Sequence, residues 1–120
     1  LGIPAKPFID VFYDAGLTTK AARDSGDIAR ACRESEPNKT IKSPPSLDHR
    51  YMHEDVGYGL VPIAALGRLC GVKTPIMDAL IEIGGVAVGI DYARDGLTLE
   101  KVGLAGETPV ELLKVVEDGA

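Results

Sequence analysis

The sequence predicts an all-α fold built as a compact set of helices. Apolar residues after position 55 recur at helical spacing in two segments, with glycine and proline standing between them. The chain has no strand-like alternation of useful length and no alternation of strands with helices. A hydrophobic share of 45% in 120 residues can supply one core, so we expect a single helical domain over residues 1–120.

The first helix is predicted over residues 7–15. Phe8, Val11 and Phe12 lie at helical spacing there, and Pro7 is acceptable in a first turn. Gly16 follows and is expected to end the helix.

Two short helices follow, over residues 20–24 and around residues 28–33. Thr18 or Thr19 could cap the first of them. The second is modestly amphipathic, and its predicted core face is formed by Ile28, Ala31 and Cys32. Three prolines then break the pattern over residues 35–46, which predicts a loop with a functional or lid-like role.

A helical hairpin over residues 61–70 and 75–90 is the predicted centre of the fold. Gly71 is placed to end its first helix, and Thr74 with Pro75 to start its second. Pro62 leaves two alternatives, because a helix either begins near Val61 or is kinked at the proline. The apolar residues that recur along the first helix are Val56, Leu60, Ile63, Leu66 and Cys70.

The second helix of the hairpin is apolar on nearly every side. Its exceptions form one stripe at spacings of four, three and four residues: Asp78, Glu82, Gly85 and Gly89. The acidic half is expected to face water. The glycine half predicts close approach of another backbone, with fraying at the helix end as the alternative.

The end of the chain carries two further helical signals. A short turn is predicted around residues 98–102. Thr108, Pro109 and Glu111 then form a capping box that starts a last helix. Its predicted core face consists of Leu112, Leu113, Val115 and Val116. The prediction is a domain of about six helices.

Composition excludes several classes of function. A net charge of −5 without a basic run argues against a nucleic-acid partner. Acidic residues interrupt or bound the most apolar region, so no membrane span is expected, and no signal-peptide pattern opens the chain. Cys32 and Cys70 match no zinc or redox motif, which favours reduced thiols in a cytoplasmic protein over a disulfide in a secreted one.

The densest group of functional side chains lies in residues 48–62. This stretch holds two histidines, one arginine, three carboxylates and two tyrosines. Caps, dipole partners and solvated charge are the simplest explanation for such a group. His49 and His53 have metal-ligand spacing but no indicated third ligand, so we predict no metal site. A glycine-rich phosphate loop is also missing, because the chain has only Gly57-x-Gly59 here.

Several strings along the chain together resemble one family. They are RYMHEDV at residues 50–56, YGLVP at 58–62, LGRLCGVKTP at 66–75, GIDY at 89–92 and LEKVGL at 99–104. Their order resembles the C-terminal helical domain of the octopine/nopaline (opine) dehydrogenase family. The resemblance is clear from about residue 44 to 106 and loose before residue 41. It implies a multi-helix fold similar to the C-terminal domain of 6-phosphogluconate-dehydrogenase-like enzymes.

The resemblance also implies roles for four residues. Asp55 stands where the family has a catalytic carboxylate that orients a histidine, which neither His49 nor His53 matches. Arg50 stands where the family contacts the pyrophosphate of NAD or NADP. The alternatives are a helix-start carboxylate for Asp55 and an ion pair between Arg50 and Glu54. Glu54 and His53 are candidate substrate contacts, with a structural role for Glu54 and a solvent-facing ring for His53 as alternatives.

The implied activity is the reductive condensation of an amino acid with a 2-oxo acid by an NAD(P)-dependent oxidoreductase. Its Rossmann domain is expected upstream, so we expect this chain alone to be inactive. Leu1 and Gly2 look like the end of a helix, which suggests a C-terminal piece, although a processed start would look the same. The rival hypothesis is a non-catalytic interaction or dimerisation module with a degenerate site, whose interface would be the apolar helix with a groove at Gly85 and Gly89. A homodimer through residues 75–90 is a further expectation.

Overall fold

The computed structural model describes residues 4–118, and every regular element among them is helical. The all-α prediction is therefore confirmed. The α-helices are α1 Phe8–Asp14, α2 Lys20–Ser25, α3 Ile28–Arg33, α4 Arg50–Glu54, α5 Val61–Leu69, α6 Pro75–Val88, α7 Tyr92–Asp95 and α8 Pro109–Asp118. A 3-10 turn spans Glu36–Asn38, and a π-helical stretch, Asp55–Leu60, joins α4 to α5. Within residues 4–118, no helix has the length and apolar character needed to cross a membrane.

The described residues form two compact units, 4–43 and 44–118. The single-domain expectation for residues 1–120 stays a prediction. Cys32 and Cys70, one in each unit, are free thiols.

In the unit 4–43, α2 and α3 begin at side-chain caps. Thr19 Oγ1 accepts the Ala22 amide at 3.1 Å, which confirms one of the two predicted caps. An aspartate, Asp27, caps α3 in the same way at 2.9 Å from the Arg30 amide. These caps satisfy amides that a helix start leaves without partners.

The predicted core face of α3 is largely wrong. Ala31 is buried, but Ile28 and Cys32 are exposed. The buried residues of α2 and α3 are both alanines, Ala22 and Ala31, whose small side chains suit closely approaching backbones. Thr18 adds to this contact by donating to the Ala31 carbonyl at 2.9 Å. The spacing of apolar residues identifies one face of a helix, but it does not show that α2 and α3 pack through alanines and leave the larger Ile28 exposed.

In the unit 44–118, α4, the π-helical stretch and α5 form one continuous helix from Arg50 to Leu69, here called the long helix. The backbone at its junctions has right-handed helical dihedral angles. Pro62 lies in the first turn of α5, which begins at Val61 as one of the two alternatives predicted, and the π-helical stretch continues the helical backbone before it. Pro62 directly follows the π-helical stretch. Turns of a π-helix are wider than those of an α-helix, and such stretches are a known cause of helix distortion.

The predicted hairpin of α5 and α6 is confirmed. Gly71 follows α5 with a φ of 71°, and Gly89 follows α6 with a φ of 72°. Both glycines therefore adopt the left-handed conformation that ends helices. Thr74 precedes α6 as predicted, but its hydroxyl donates to the Asp78 carboxylate at 3.3 Å and does not cap an amide.

The core of this unit lies between the long helix, α6 and α7. Its buried side chains are Val56, Val61, Ala64, Ile81 and Tyr92. Two glycines let α6 approach this core closely. A Cβ on Gly84 would lie 3.3 Å from Met52 Cε, and one on Gly85 would lie 2.5 Å from the Ile90 carbonyl oxygen. The predicted close approach is confirmed at Gly85, whereas Gly89 serves as the helix stop.

The segment after α6 differs from the prediction. The helical turn is α7, Tyr92–Asp95, and residues 99–103 form non-helical turns. The Asp91 carboxylate caps α7 at the Arg94 amide, 3.1 Å away, and Tyr92 inserts into the core, so the turn forms earlier than predicted. Lys101 Nζ then donates to the carbonyl oxygens of Arg94, Asp95 and Gly96 at 3.2, 2.8 and 2.7 Å. The chain folds back on α7 where a helix was expected.

The capping box before α8 is confirmed. The Thr108 amide donates to the Glu111 carboxylate at 2.8 Å, and the Glu111 amide donates to Thr108 Oγ1 at 3.3 Å. These bonds with Thr108 hold the pKa of Glu111 below its usual value. Leu112 of the predicted core face is buried, but Val116 is exposed.

We expect Gly85→Ala to destabilise the protein. The added methyl group would collide with the carbonyl oxygen of Ile90, and overpacking of this kind costs about 1–3 kcal/mol. The better helix propensity of alanine offsets about 1 kcal/mol of that cost. Because the collision involves backbone rather than a flexible side chain, the thermal midpoint measured by circular dichroism should fall.

Gly59→Ala is the matched control in the long helix. A Cβ there meets nothing closer than the Glu54 carbonyl oxygen at 3.9 Å. Its midpoint should stay the same or rise. Equal midpoints for the two variants would contradict the close approach at Gly85.

Candidate functional site

The dense stretch predicted from sequence lies at the start of the long helix. His49 is the cap of α4, and its Nδ1 accepts the Tyr51 amide at 3.3 Å. Its ring also meets the Tyr51 ring edge-on, with 4.6 Å between centroids. His49 is therefore occupied in starting the helix.

His53 is held at both ring nitrogens. Nδ1 lies 2.9 Å from the Tyr92 hydroxyl and Nε2 lies 2.8 Å from the Asp48 carboxylate. Because a carboxylate only accepts, the neutral ring carries its proton on Nε2 and accepts the Tyr92 hydroxyl at Nδ1. The ring is half-buried, which differs from the expectation of a solvent-facing histidine.

Tyr92 connects this histidine to the core, and the three residues are here called the Asp48–His53–Tyr92 chain. The Tyr92 ring is buried and packs on the backbone of Gly57, where an added Cβ would lie 3.2 Å from the ring. Burial, and after it the charge of Asp48, raises the pKa of the Tyr92 hydroxyl. The chain of hydrogen bonds fixes the start of the long helix to α7.

Arg50 and Glu54 form an exposed ion pair on the first turn of the long helix. Nη2 of Arg50 lies 3.0 Å from Oε2 of Glu54, and the two side chains are 68% and 59% exposed. Exposed pairs at this spacing contribute only about 0.3–0.5 kcal/mol. The guanidinium is therefore restrained weakly and stays open to another anionic partner.

Asp55 is exposed and opens the π-helical stretch. Five helical residues precede it in α4, so it does not cap a helix start. Asp55 is an acidic residue in the first turn of the π-helical stretch, so its catalytic role and its helix-start role both stay predictions. The structure thus places Arg50 about one turn before Glu54 and Asp55 on one helix, and all three residues are exposed, while His53 bonds to Tyr92.

Metal ligands do not come together in the part of the chain that the structure describes. Residues 4–118 hold no group of three or more histidine, cysteine, aspartate or glutamate side chains suited to a metal. His49 and His53 have the partners described above.

Two cavities in this unit differ in whether a candidate site residue lines them. One of about 170 Å³ is lined by His53, Gly57, Tyr58, Ile90, Tyr92, Asp95 and Gly96. Another of about 630 Å³ lies between α5, α6 and the segment after α7, with Arg68, Asp78, Glu82 and Glu100 among its lining residues. The larger cavity is lined by none of Arg50, His53, Glu54 and Asp55, so its size alone does not make it the site.

Sequence reasoning missed Tyr92 and the role of Asp48. The contact between His53 and Tyr92 joins residues 39 positions apart, which no local pattern reveals. An available signal was Tyr92 itself, an aromatic residue placed directly after the end of an apolar helix and its following aspartate.

The part of the chain that the structure describes is an α-helical domain. The family model described as NAD/NADP octopine/nopaline dehydrogenase, alpha-helical domain, matches residues 1–88. The chain therefore belongs to the octopine/nopaline dehydrogenase family, which confirms the resemblance found in the sequence.

Three curated relatives are similar to this chain. Opine dehydrogenase of Arthrobacter sp. (strain 1C) is 38% identical over 90 residues, which cover 75% of this chain and 25% of that protein. Vitopine synthase of Allorhizobium ampelinum is 29% identical over 73 residues, covering 61% and 20%. Protein ocs of Agrobacterium tumefaciens (strain Ach5) is 25% identical over 76 residues, covering 63% and 21%. The matched part therefore spans a fifth to a quarter of each relative.

The family match differs in extent from the resemblance read along the sequence. It begins at residue 1, so the unit 4–43 lies within it, whereas the sequence strings suggested a clear match only from about residue 44. It ends at residue 88, the last residue of α6, whereas the strings suggested continuation to residue 106. Arg50, His53, Glu54 and Asp55 all lie inside the matched residues.

We expect Tyr92→Phe to lower the free energy of unfolding by about 1 kcal/mol near neutral pH, the usual contribution of one hydrogen bond. It should also change the pH dependence. A folded-state pKa above the unfolded value gives stability that is present below about pH 10 and is lost as pH rises through the folded pKa. The variant lacks this titration, so its alkaline loss of stability should be smaller in urea unfolding between about pH 9 and 11.

Tyr58→Phe is the control, because it removes a hydroxyl from an exposed side chain. It should follow the wild-type pH profile. If Tyr92→Phe also followed that profile, the buried hydroxyl would not contribute as described.

Proposed function

We propose that this chain is the substrate-side helical domain of an NAD(P)H-dependent opine dehydrogenase. The proposed reaction condenses the amino group of an amino acid with a 2-oxo acid and reduces the resulting imine. The observation that carries the proposal is an arginine and an aspartate, Arg50 and Asp55, exposed on the long helix within the family match. Asp55 is exposed and does not pack in the core, so burial does not explain it.

Asp55 is proposed to orient a histidine supplied by another part of the protein. An imidazole that accepts or donates a proton at the substrate carbonyl must hold its proton on one chosen nitrogen. A carboxylate at the other nitrogen selects that tautomer and stabilises the charged ring. Asp55 suits this role because its side chain is exposed at the start of the π-helical stretch.

Arg50 is proposed to contact the pyrophosphate of the dinucleotide. A planar guanidinium fits phosphate oxygens, and the weak pair with Glu54 leaves it free to exchange partners. This chain has no glycine-rich phosphate loop, so a Rossmann domain elsewhere in the protein would hold most of the dinucleotide. NADH or NADPH would supply the hydride. Such a protein works in the cytoplasm, where reduced dinucleotides are available.

Glu54 and His53 are proposed as supporting residues beside the substrate. Glu54 keeps the Arg50 side chain extended along the helix until phosphate arrives. His53 borders the cavity of about 170 Å³, and its Nε2 bonds to Asp48, whose side chain is 93% exposed. A substrate carboxylate could replace such an exposed partner at little cost, while Tyr92 keeps the ring in place.

We expect Asp55→Asn in the complete enzyme to lower kcat by roughly two orders of magnitude or more, the scale of positioned acid–base catalysis. The amide keeps the shape of the carboxylate, loses its charge and can favour the wrong tautomer. The limb of the pH–rate profile that reports the histidine should move to lower pH, because a nearby negative charge raises an imidazole pKa. Thermal stability should change little, since the side chain is exposed.

Glu117→Gln is the matched control, an exposed carboxylate on α8 outside the family match. It should leave kcat and its pH profile unchanged. Near-wild-type turnover in Asp55→Asn would remove this residue from the mechanism.

We expect Arg50→Ala to raise the KM for the dinucleotide more than it lowers kcat. A phosphate contact away from the reacting carbon binds the ground state and the transition state about equally. Arg68→Ala removes an arginine with similar exposure that pairs with Asp78 at 2.7 Å, so it controls for the loss of surface charge. A lower kcat with an unchanged dinucleotide KM would instead assign Arg50 to chemistry or domain closure.

A further inference from the structure

The cavity of about 170 Å³ beside His53 has mostly apolar walls. Its lining includes three aromatic rings, one isoleucine and two glycines: His53, Tyr58, Tyr92, Ile90, Gly57 and Gly96. An engineered apolar cavity of about 150 Å³ in another protein binds benzene. The space beside His53 is therefore large enough for a branched aliphatic group or a phenyl ring.

Backbone contacts fix the shape of this cavity. A Cβ on Gly96 would lie 2.6 Å from the Gly57 carbonyl oxygen, and a Cβ on Gly57 would lie 3.2 Å from the Tyr92 ring. The Gly57 carbonyl also accepts the Leu97 amide at 2.8 Å. The two glycines therefore bring the walls together without filling the space with side chains. The cavity is already formed in the fold, as ligand sites usually are.

Asp95 is the one acidic residue among the described residues that line the cavity. Its Oδ1 accepts from Nε of Arg94 at 2.7 Å, and its Oδ2 accepts from Nη2 of Arg94 at 2.8 Å. This two-point bond holds the pKa of Asp95 below its usual value, so the carboxylate is charged and already paired. Asp95 therefore offers no free anionic partner to a cationic ligand group.

Two residues connect the cavity to the candidate site. Tyr58 is 63% exposed and follows Asp55 by three residues on the long helix. His53 Nε2 bonds to the exposed carboxylate of Asp48, which the carboxylate of a ligand can replace. A small molecule held by its carboxylate at His53 can therefore place its side chain in the cavity.

We propose that this cavity receives the side chain of the amino-acid substrate and selects a neutral apolar one, such as that of leucine, methionine or phenylalanine. The inference rests on the proposed function and adds the class of amino acid to it. The α-carboxylate of the substrate takes the place of Asp48 at His53, and Tyr92 keeps the imidazole in position through its bond to Nδ1. The side chain then packs against the rings of Tyr58 and Tyr92.

The same walls disfavour three other kinds of side chain. A guanidinium or ammonium group would lose its water without gaining a free anion, and burial of an unpaired charge is strongly unfavourable. A carboxylate would approach the charged Asp95. A single methyl group would leave most of the space empty, and each missing methylene in an apolar pocket lowers kcat/KM by about 10-fold or more.

The complete enzyme should show this order in kcat/KM when single amino acids are tested with a saturating 2-oxo acid and NADH or NADPH. Leucine, methionine and phenylalanine should exceed alanine at least about tenfold. Arginine and glutamate should fall below alanine. Arginine or glutamate as the best substrate, or alanine equal to leucine, would overturn the proposal.

Two exposed tyrosines of the long helix provide a matched pair of variants. Tyr58→Ala removes one wall of the cavity and should lower the ratio of kcat/KM for leucine to that for alanine by about tenfold. Tyr51→Ala removes an exposed tyrosine that does not line the cavity, so the ratio should stay as in the wild type. Equal ratios in the two variants would contradict the proposed pocket, and circular dichroism checks that both variants are folded.

Calorimetry on the complete protein separates this inference from the proposed function. Absence of turnover with every pair of amino acid and 2-oxo acid would overturn the proposed function, and binding would still test the cavity. Leucine should bind more tightly than alanine or arginine, and Tyr58→Ala should weaken leucine binding by about tenfold. Equal binding of leucine and arginine would overturn the inference even in an active enzyme.

Discussion

The arrangement of the unit 44–118 depends on the missing amide hydrogen of Pro62. Because proline has no N–H, a backbone carbonyl of the long helix is left to accept a hydrogen bond from another segment. In the π-helical stretch the Val61 amide bonds to the Val56 carbonyl five residues back, so the next bond in the series would join residue 62 to Gly57. Proline has no N–H, and the Gly57 carbonyl instead accepts the Leu97 amide at 2.8 Å. This bond brings the segment after α7 against the long helix.

Two glycines make that contact close enough to shape the candidate site. A Cβ on Gly96 would lie 2.6 Å from the Gly57 carbonyl oxygen, and a Cβ on Gly57 would touch the Tyr92 ring. Tyr92 is thereby buried with its hydroxyl against His53, and Asp48 holds the other side of that ring. The π-helical stretch therefore accommodates Pro62 in the long helix. Through the bond between Gly57 and Leu97 it also determines where Tyr92 contacts the first turns of that helix. Such stretches are frequent at functional sites.

Features of the fold that depend on local interactions were predicted correctly from local sequence patterns. The hairpin of α5 and α6, the Thr19 cap and the capping box at Thr108 followed from apolar spacing and cap chemistry. The continuous long helix did not, because a π-helical stretch shifts the spacing that identifies a helix. The exposed Ile28 and the bond between His53 and Tyr92 depend on tertiary packing, which spacing does not contain. Arg50 and Asp55 were found by family resemblance, and the structure adds that both are exposed.

The bond from Leu97 to Gly57 also bears on local opening of the fold. Leu97 lies outside every helix, where amides usually exchange with solvent readily. Its hydrogen is nevertheless held by a carbonyl of the long helix beside a buried ring, so exchange requires the loop and that helix to separate. The Leu97 amide should therefore exchange slowly for a residue outside a helix, at a rate set by opening of the contact between the loop and the long helix. That contact lies within two turns of the start of the long helix, where the candidate site residues are.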